Sequence, residues 1–121
     1  MTTREQFVGT LGKLLEATRA KQLAWKETAE EGVYRASFKK ATVEVGRFED
    51  EEVEQHYLQA RLYNKNNAVV EEIKGSLSNG NTKEPSPLLR ALYELARDSA
   101  LRPEDLLKSI EDELMSAQRQ Q

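Results

Sequence analysis

Between Val33 and Ile73 the chain runs through four short stretches in which apolar and polar residues alternate, separated by turn-like breaks. Successive side chains of a strand point to opposite faces, so this period is the mark of a half-buried sheet. Tyr34, Ala36 and Phe38 alternate with Arg35 and Ser37. Val43 and Val45 alternate with Thr42 and Glu44. Leu58, Ala60 and Leu62 alternate with Tyr57, Gln59, Arg61 and Tyr63, and residues 68–73 close the series. The breaks carry turn chemistry. Gly32 ends Ala29-Glu30-Glu31-Gly32 and is free to take positive φ. Asn64-Lys65-Asn66-Asn67 suits a hairpin, because asparagine tolerates the left-handed region. Leu23 to Thr28 reads as a further strand ahead of these. Strands this close in sequence connect most simply as a meander.

The flanks have the helical period instead. Phe7, Leu11, Leu14, Leu15 and Thr18 share one face of a helix over 3–20. Thr2 or Thr3 opens it, and Gln6 stands at the capping-box spacing from Thr3. Gly9 and Gly12 weaken that helix and leave room for a neighbouring backbone. After a Ser-, Asn-, Gly- and Pro-rich linker over 75–86, Ser86-Pro87 opens a helix over 87–100. Its stripe of Leu88, Leu89, Leu92, Tyr93, Leu95, Ala96 and Ala100 is wide enough for two apolar neighbours, for which the sheet and the last helix would serve. Pro103, Glu104 and Asp105 open that last helix, over 103–117, with Leu106, Leu107, Ile110 and Leu114 as its stripe. The reading is α+β: an N-terminal helix, an antiparallel meander of four to five strands and a C-terminal pair of helices, in one domain spanning 1–121. Its expected core joins Leu11, Leu14, Leu15, Trp25, Phe38, Val45, Leu58 and Leu62, with Trp25 where the first helix meets the sheet.

Composition narrows the function classes. The chain has no cysteine, which removes disulfides, thiolate metal sites and cysteine nucleophiles. Its 21 acids against 18 bases give a net charge of −3, so nothing in the overall balance attracts phosphate. The apolar runs are too short to span a bilayer and the N-terminus lacks a signal-peptide core, so the expectation is a cytoplasmic protein with no membrane partner. Glu49, Asp50, Glu51, Glu52, Glu54 and His56 bring oxygen ligands near an imidazole, but match no calcium loop and lack a second histidine. A solvated loop between strands is the plainer reading. The lone His56 has no evident nucleophile, and neither a phosphate-binding glycine loop nor a nucleophile elbow is present. We therefore expect no catalytic, cofactor or metal residue.

Two surfaces remain as binding candidates. Tyr57, Arg61 and Tyr63 project from one face of a strand, where rings and a guanidinium can stack bases. Arg35 lies near that face and Glu44 shares it, which is also what a solvated sheet carries. The outer side of the helix over 87–100, around Leu89 and Tyr93, is the other. The order of Leu-Ala-Trp-Lys-Glu-Thr at 23–28, Tyr-Arg-Ala-Ser-Phe at 34–38, Leu-Tyr-Asn at 62–64 and Leu-Leu-Arg-Ala-Leu-Tyr-Glu-Leu-Ala-Arg at 88–97 resembles small, uncharacterised bacterial α+β proteins. The resemblance implies a bacterial accessory protein and transfers no site residue. The resulting expectation is a non-catalytic protein-interaction module, an adaptor, inhibitor or chaperone-like subunit, whose partner is another protein or a second copy. The alternatives are a nucleic-acid accessory using Tyr57, Arg61 and Tyr63, and a small enzyme or metal protein using the Glu49–His56 segment.

Overall fold

The first helix starts where a side chain can replace missing backbone partners. In the computed structural model, which describes residues 2–50, 55–76 and 86–119, α1 (Thr3–Arg19) is capped by Thr2. The Thr2 hydroxyl accepts from the Glu5 backbone N–H at 3.1 Å, so Thr2 and not Thr3 is the cap. The helix ends with Lys21 at φ 60°. There the Gln22 N–H donates to the Ala17 carbonyl at 2.9 Å and the Lys21 N–H to that of Thr18 at 3.0 Å. This is a Schellman closure with lysine in the place glycine usually fills.

Five strands follow: β1 (Lys26–Glu27), β2 (Val33–Ser37), β3 (Ala41–Asp50), β4 (Gln55–Asn64) and β5 (Val69–Ser76). They form one antiparallel sheet in the order β1-β2-β3-β4-β5, a meander as the short connections demand. Gly32 stands at φ 78° and Asn67 at φ 63°, as the turn residues require. The Asn64 side-chain oxygen accepts from the N–H groups of Asn66 and Ala68, which fixes the β4–β5 turn.

Three boundaries differ from expectation. β1 is only two residues long, because the Trp25 N–H is drawn off to the Ser99 hydroxyl at 2.9 Å instead of a strand partner. Glu49 and Asp50 belong to β3, where they pair with His56 and Gln55; residues 51–54 of the acidic run lie outside the described residues. Gly75 and Ser76 belong to β5, because β4 is long enough to pair with both. The rest of the expected linker, 77–85, lies outside the described residues.

α2 (Ser86–Leu101) lies with α1 on one face of the sheet. The core there joins Phe7, Leu11 and Leu14 of α1, Leu89, Leu92 and Ala96 of α2, and Tyr34, Val45, Leu58, Ala60 and Ile73 of the sheet. Trp25 ties the layers together. Its indole N–H donates to the Thr18 hydroxyl at 2.9 Å, and that hydroxyl donates to the Leu14 carbonyl at 2.7 Å. Leu15 and Leu62 pack at the margin of the core. Phe38 does not join it: it is 47% exposed, standing past the last β2 pair at the Lys39-Lys40 bend, beyond the cover of the helices. Gly9 and Gly12 face open space, so no described backbone uses the room they leave.

α3 (Pro103–Arg119) departs from the rest. A residue before proline is pushed out of the helical region, and Pro103 has no N–H to continue the α2 ladder. Arg102 stands at φ 49°, outside the right-handed helical region, and the chain bends there into a new helix. Every residue of 102–117 is exposed. The second neighbour of α2 is therefore α1, not α3 as its wide stripe had suggested.

Candidate functional site

The strand alternation that buries Leu58 and Ala60 under the helices sends Tyr57, Gln59, Arg61 and Tyr63 to the opposite face of the sheet, on which no described helix packs. Register then builds rows across it. Arg35 pairs with Glu44, Glu44 with Arg61 and Arg61 with Glu72, so a ladder of alternating charge crosses four strands. The Arg35 Nη2 and Nε groups both donate to one Glu44 carboxylate oxygen, at 2.9 and 3.3 Å. Arg61 Nε lies 3.8 Å from the Glu72 carboxylate. Glu44 is itself buried, matched by a cation on either side. Burial raises the Tyr63 hydroxyl above its ordinary pKa, and a hydrogen bond with Glu44 adds to the rise.

Four residues along the strands is an aromatic row. Phe48 pairs with Tyr57, and their rings stack with centroids 5.7 Å apart. The Arg61 guanidinium lies 5.3 Å from the Phe48 centroid and the Lys74 ammonium 5.4 Å from that of Tyr57, both at cation–π range. The three expected residues Tyr57, Arg61 and Tyr63 are thus brought together. Arg61 is not an open guanidinium awaiting a phosphate, because Glu72, Tyr63 and Phe48 already engage it.

Between the charged and aromatic rows lies a third, in which Val33 pairs with Gly46 and Gly46 with Gln59. It forms the floor of a hollow of about 250 Å³, walled by Glu44, Phe48, Arg61 and the Thr28–Glu30 turn. Gln59 is 1% exposed, and neither its amide nitrogen nor its oxygen has a partner among the described residues. Phe48, Gly46 and the burial of Gln59 were missed in the sequence. A glycine inside an alternating strand was the available signal, since it marks a close approach.

The second expected surface is not a surface at all at its centre. Leu89 is 0% exposed, because the helix rotation that serves both the sheet and α1 turns it inward. Tyr93 is half-buried against the Tyr34 ring, 5.8 Å between centroids. The exposed apolar surface is one helix further on. Leu106, Leu107, Ile110 and Leu114 of α3 are each 54–61% exposed. At 3.6 residues per turn they form a single stripe, bordered by Glu111 on one edge and Glu113 on the other. The helix carries five carboxylates and two cations in all.

His56 and Glu49 face each other across β3 and β4 with Nε2 and Oε1 4.0 Å apart, the histidine half-buried and the glutamate exposed. No group of three or more metal-binding side chains gathers among the described residues. No described helix is long and apolar enough to cross a membrane. In comparisons with known proteins, no family model matches the chain, and no curated protein or solved structure is significantly similar to it.

Proposed function

We propose that this chain is a non-catalytic protein-interaction module that engages its partner through α3. The observation that carries the reading is the unburied stripe of Leu106, Leu107, Ile110 and Leu114. An amphipathic helix gains most of its stability by burying its apolar face, and this one buries none of it within the described residues. Contiguous exposed apolar surface on a protein marks a place where something docks. Helix-in-groove recognition uses this spacing of anchors.

The charge pattern selects the partner. Glutamates border both edges of the stripe. Two copies of α3 packed face to face would bring these carboxylates together, a repulsion that opposes self-association. An apolar groove rimmed by lysine or arginine on another protein answers both features. Such a complex weakens as salt rises, while its apolar centre sets most of the affinity.

The test uses the full chain and the Leu107→Glu/Ile110→Glu variant, tagged and recovered from the native host. Circular dichroism and thermal melting should show that the variant keeps its fold. The expected result is a partner recovered with the wild type alone, whose isolated complex loosens with salt. Equal recovery by both chains would remove α3 from the interface. Sedimentation that shows a stable homodimer, lost in the variant, would replace the basic-rimmed partner by a second copy.

A further inference from the structure

We propose that the hollow over Gly46 and Gln59 is a binding site for an uncharged heteroaromatic ring that presents a hydrogen-bond donor beside an acceptor, the edge that adenine offers. The site is independent of α3. Its central observation is the Gln59 carboxamide, 1% exposed and lining the hollow, with both of its polar atoms unpartnered among the described residues. A buried polar group without a partner destabilises the fold. Such groups are rare, and a ligand that supplies the missing bonds is one reason for them to persist. A glutamine amide offers an N–H donor and a carbonyl acceptor side by side, which is the complement of the N6 donor and N7 acceptor of adenine.

The surroundings fit a flat, neutral ring. Phe48 supplies an aromatic wall, and Arg61, which reaches past the Gln59 row toward Phe48, supplies a planar cation. Bases stack on both types of surface. The cations beside the hollow are already matched by Glu44 and Glu72, so no excess charge there calls for a phosphate. At about 250 Å³ the hollow is below the range of pockets that hold drug-sized ligands, which suits a single ring system. Gly46 lets the walls close in. A Cβ there would stand 2.8 Å from a Val33 methyl and 3.1 Å from the Phe48 ring. Only glycine lets the Val33 methyl and the Phe48 ring stand this close over the strand, which holds Phe48 as a wall of the hollow beside Gln59.

The ring could arrive as a free nucleoside or as a base held out by a single strand, and the probes separate the two. Adenosine, adenosine monophosphate and a ten-residue deoxyadenosine oligonucleotide would be titrated into the ¹⁵N-labelled full chain, following the Gln59 side-chain amide signals. Adenosine is expected to shift those signals and the Gly46 backbone signal. Gln59→Met, similar in shape without the amide, should weaken binding at least about tenfold (about 1.4 kcal/mol) and raise the melting temperature of the ligand-free protein. Equal affinity for adenosine and oligonucleotide assigns a free nucleoside; a much tighter, salt-sensitive oligonucleotide assigns a strand-borne base. Phe48→Leu gives an independent check, with binding weakened through the lost wall. No shift with any probe at millimolar concentration overturns the proposal. So does undiminished binding by Gln59→Met, or a lower melting temperature in that variant, which would show that water already satisfies the amide.

Discussion

α2 and α3 are consecutive, nearly equal in length and both striped with leucine, yet they treat their stripes in opposite ways. α2 buries Leu89, Leu92 and Ala96 completely. α3 leaves all of 103–117 exposed. The cause is not composition but the junction at Arg102 and Pro103. Arg102 stands in the left-handed region, the proline after it has no N–H to continue the α2 ladder, and α3 makes no extensive contact with the sheet. α1 has by then taken the remaining flank of α2. The pair teaches that helical periodicity reports a need for an apolar neighbour without saying which molecule supplies it.

The largest test of this contrast is a matched pair of truncations. Leu92→Ala empties a site with no exposure and should cost about 2–5 kcal/mol. Leu107→Ala removes the same atoms from a solvated stripe and should stay within about 0.5 kcal/mol. Urea unfolding of both variants reads the difference directly. Comparable losses would mean that α3 packs on its own domain in solution, and the proposed docking stripe would be gone.

A smaller effect probes how firmly the end of α2 is held before the bend. The Ser99 hydroxyl accepts from the Trp25 N–H, joining the last turn of α2 to the segment ahead of β1. Ser99→Ala leaves that partly buried N–H without its partner and should cost about 1–3 kcal/mol. Hydrogen exchange at Trp25 should quicken in the variant. If neither stability nor exchange changes, α2 is anchored by its apolar contacts alone, and the difference from α3 lies wholly in the stripe.

Tyr34 offers a third handle, through pH. Its hydroxyl is raised above its ordinary pKa, first by burial and then by the neighbouring Tyr93 of α2. A raised folded-state pKa means that the folded chain holds this proton more tightly than the unfolded one. The contribution is complete below the unfolded value near 10.0 and is lost as pH climbs through the folded value. Stability should therefore fall above pH ~10, and less so in Tyr34→Phe. An identical alkaline slope in the variant would assign the loss to other groups.

Much of this architecture was legible because local signals agreed with the global fold. The alternation of Leu58 and Ala60 with Tyr57 and Arg61 gave the two sheet faces, and Gly32 and Asn67 gave the turns. The misses share one physical cause: they depend on neighbours remote in sequence. Phe38 has the right period but stands beyond the reach of the helices. Leu89 looked like the outer flank of α2 until α1 covered it. The hollow beside Gln59 needs Gly46, Val33 and Phe48 from two other strands, and no spacing within β4 encodes that meeting.

The smallest expected change in stability sharpens the comparison most, because it acts on the bend itself. α3 makes no extensive contact with any described helix or strand, so among the described residues no broad packing holds its direction. The bend is then a local property of Arg102 and Pro103. Pro103→Ala restores an N–H and lifts the restriction on Arg102, which as a non-glycine residue at φ 49° gains by returning to the right-handed region. The two helices should fuse into one, with stability changed by no more than about 0.5 kcal/mol, the scale of a surface substitution. The absence of cysteine makes the geometry easy to read. Spin labels at cysteines replacing the exposed Arg90 and Ser116 would lie about 39 Å apart along a straight helix rising 1.5 Å per residue. The native chain should give a shorter distance and Pro103→Ala should approach the straight value. A distance that stays short in the variant would show that α3 is held by contacts of its own, and the line drawn between the two helices would move from the hinge to the packing.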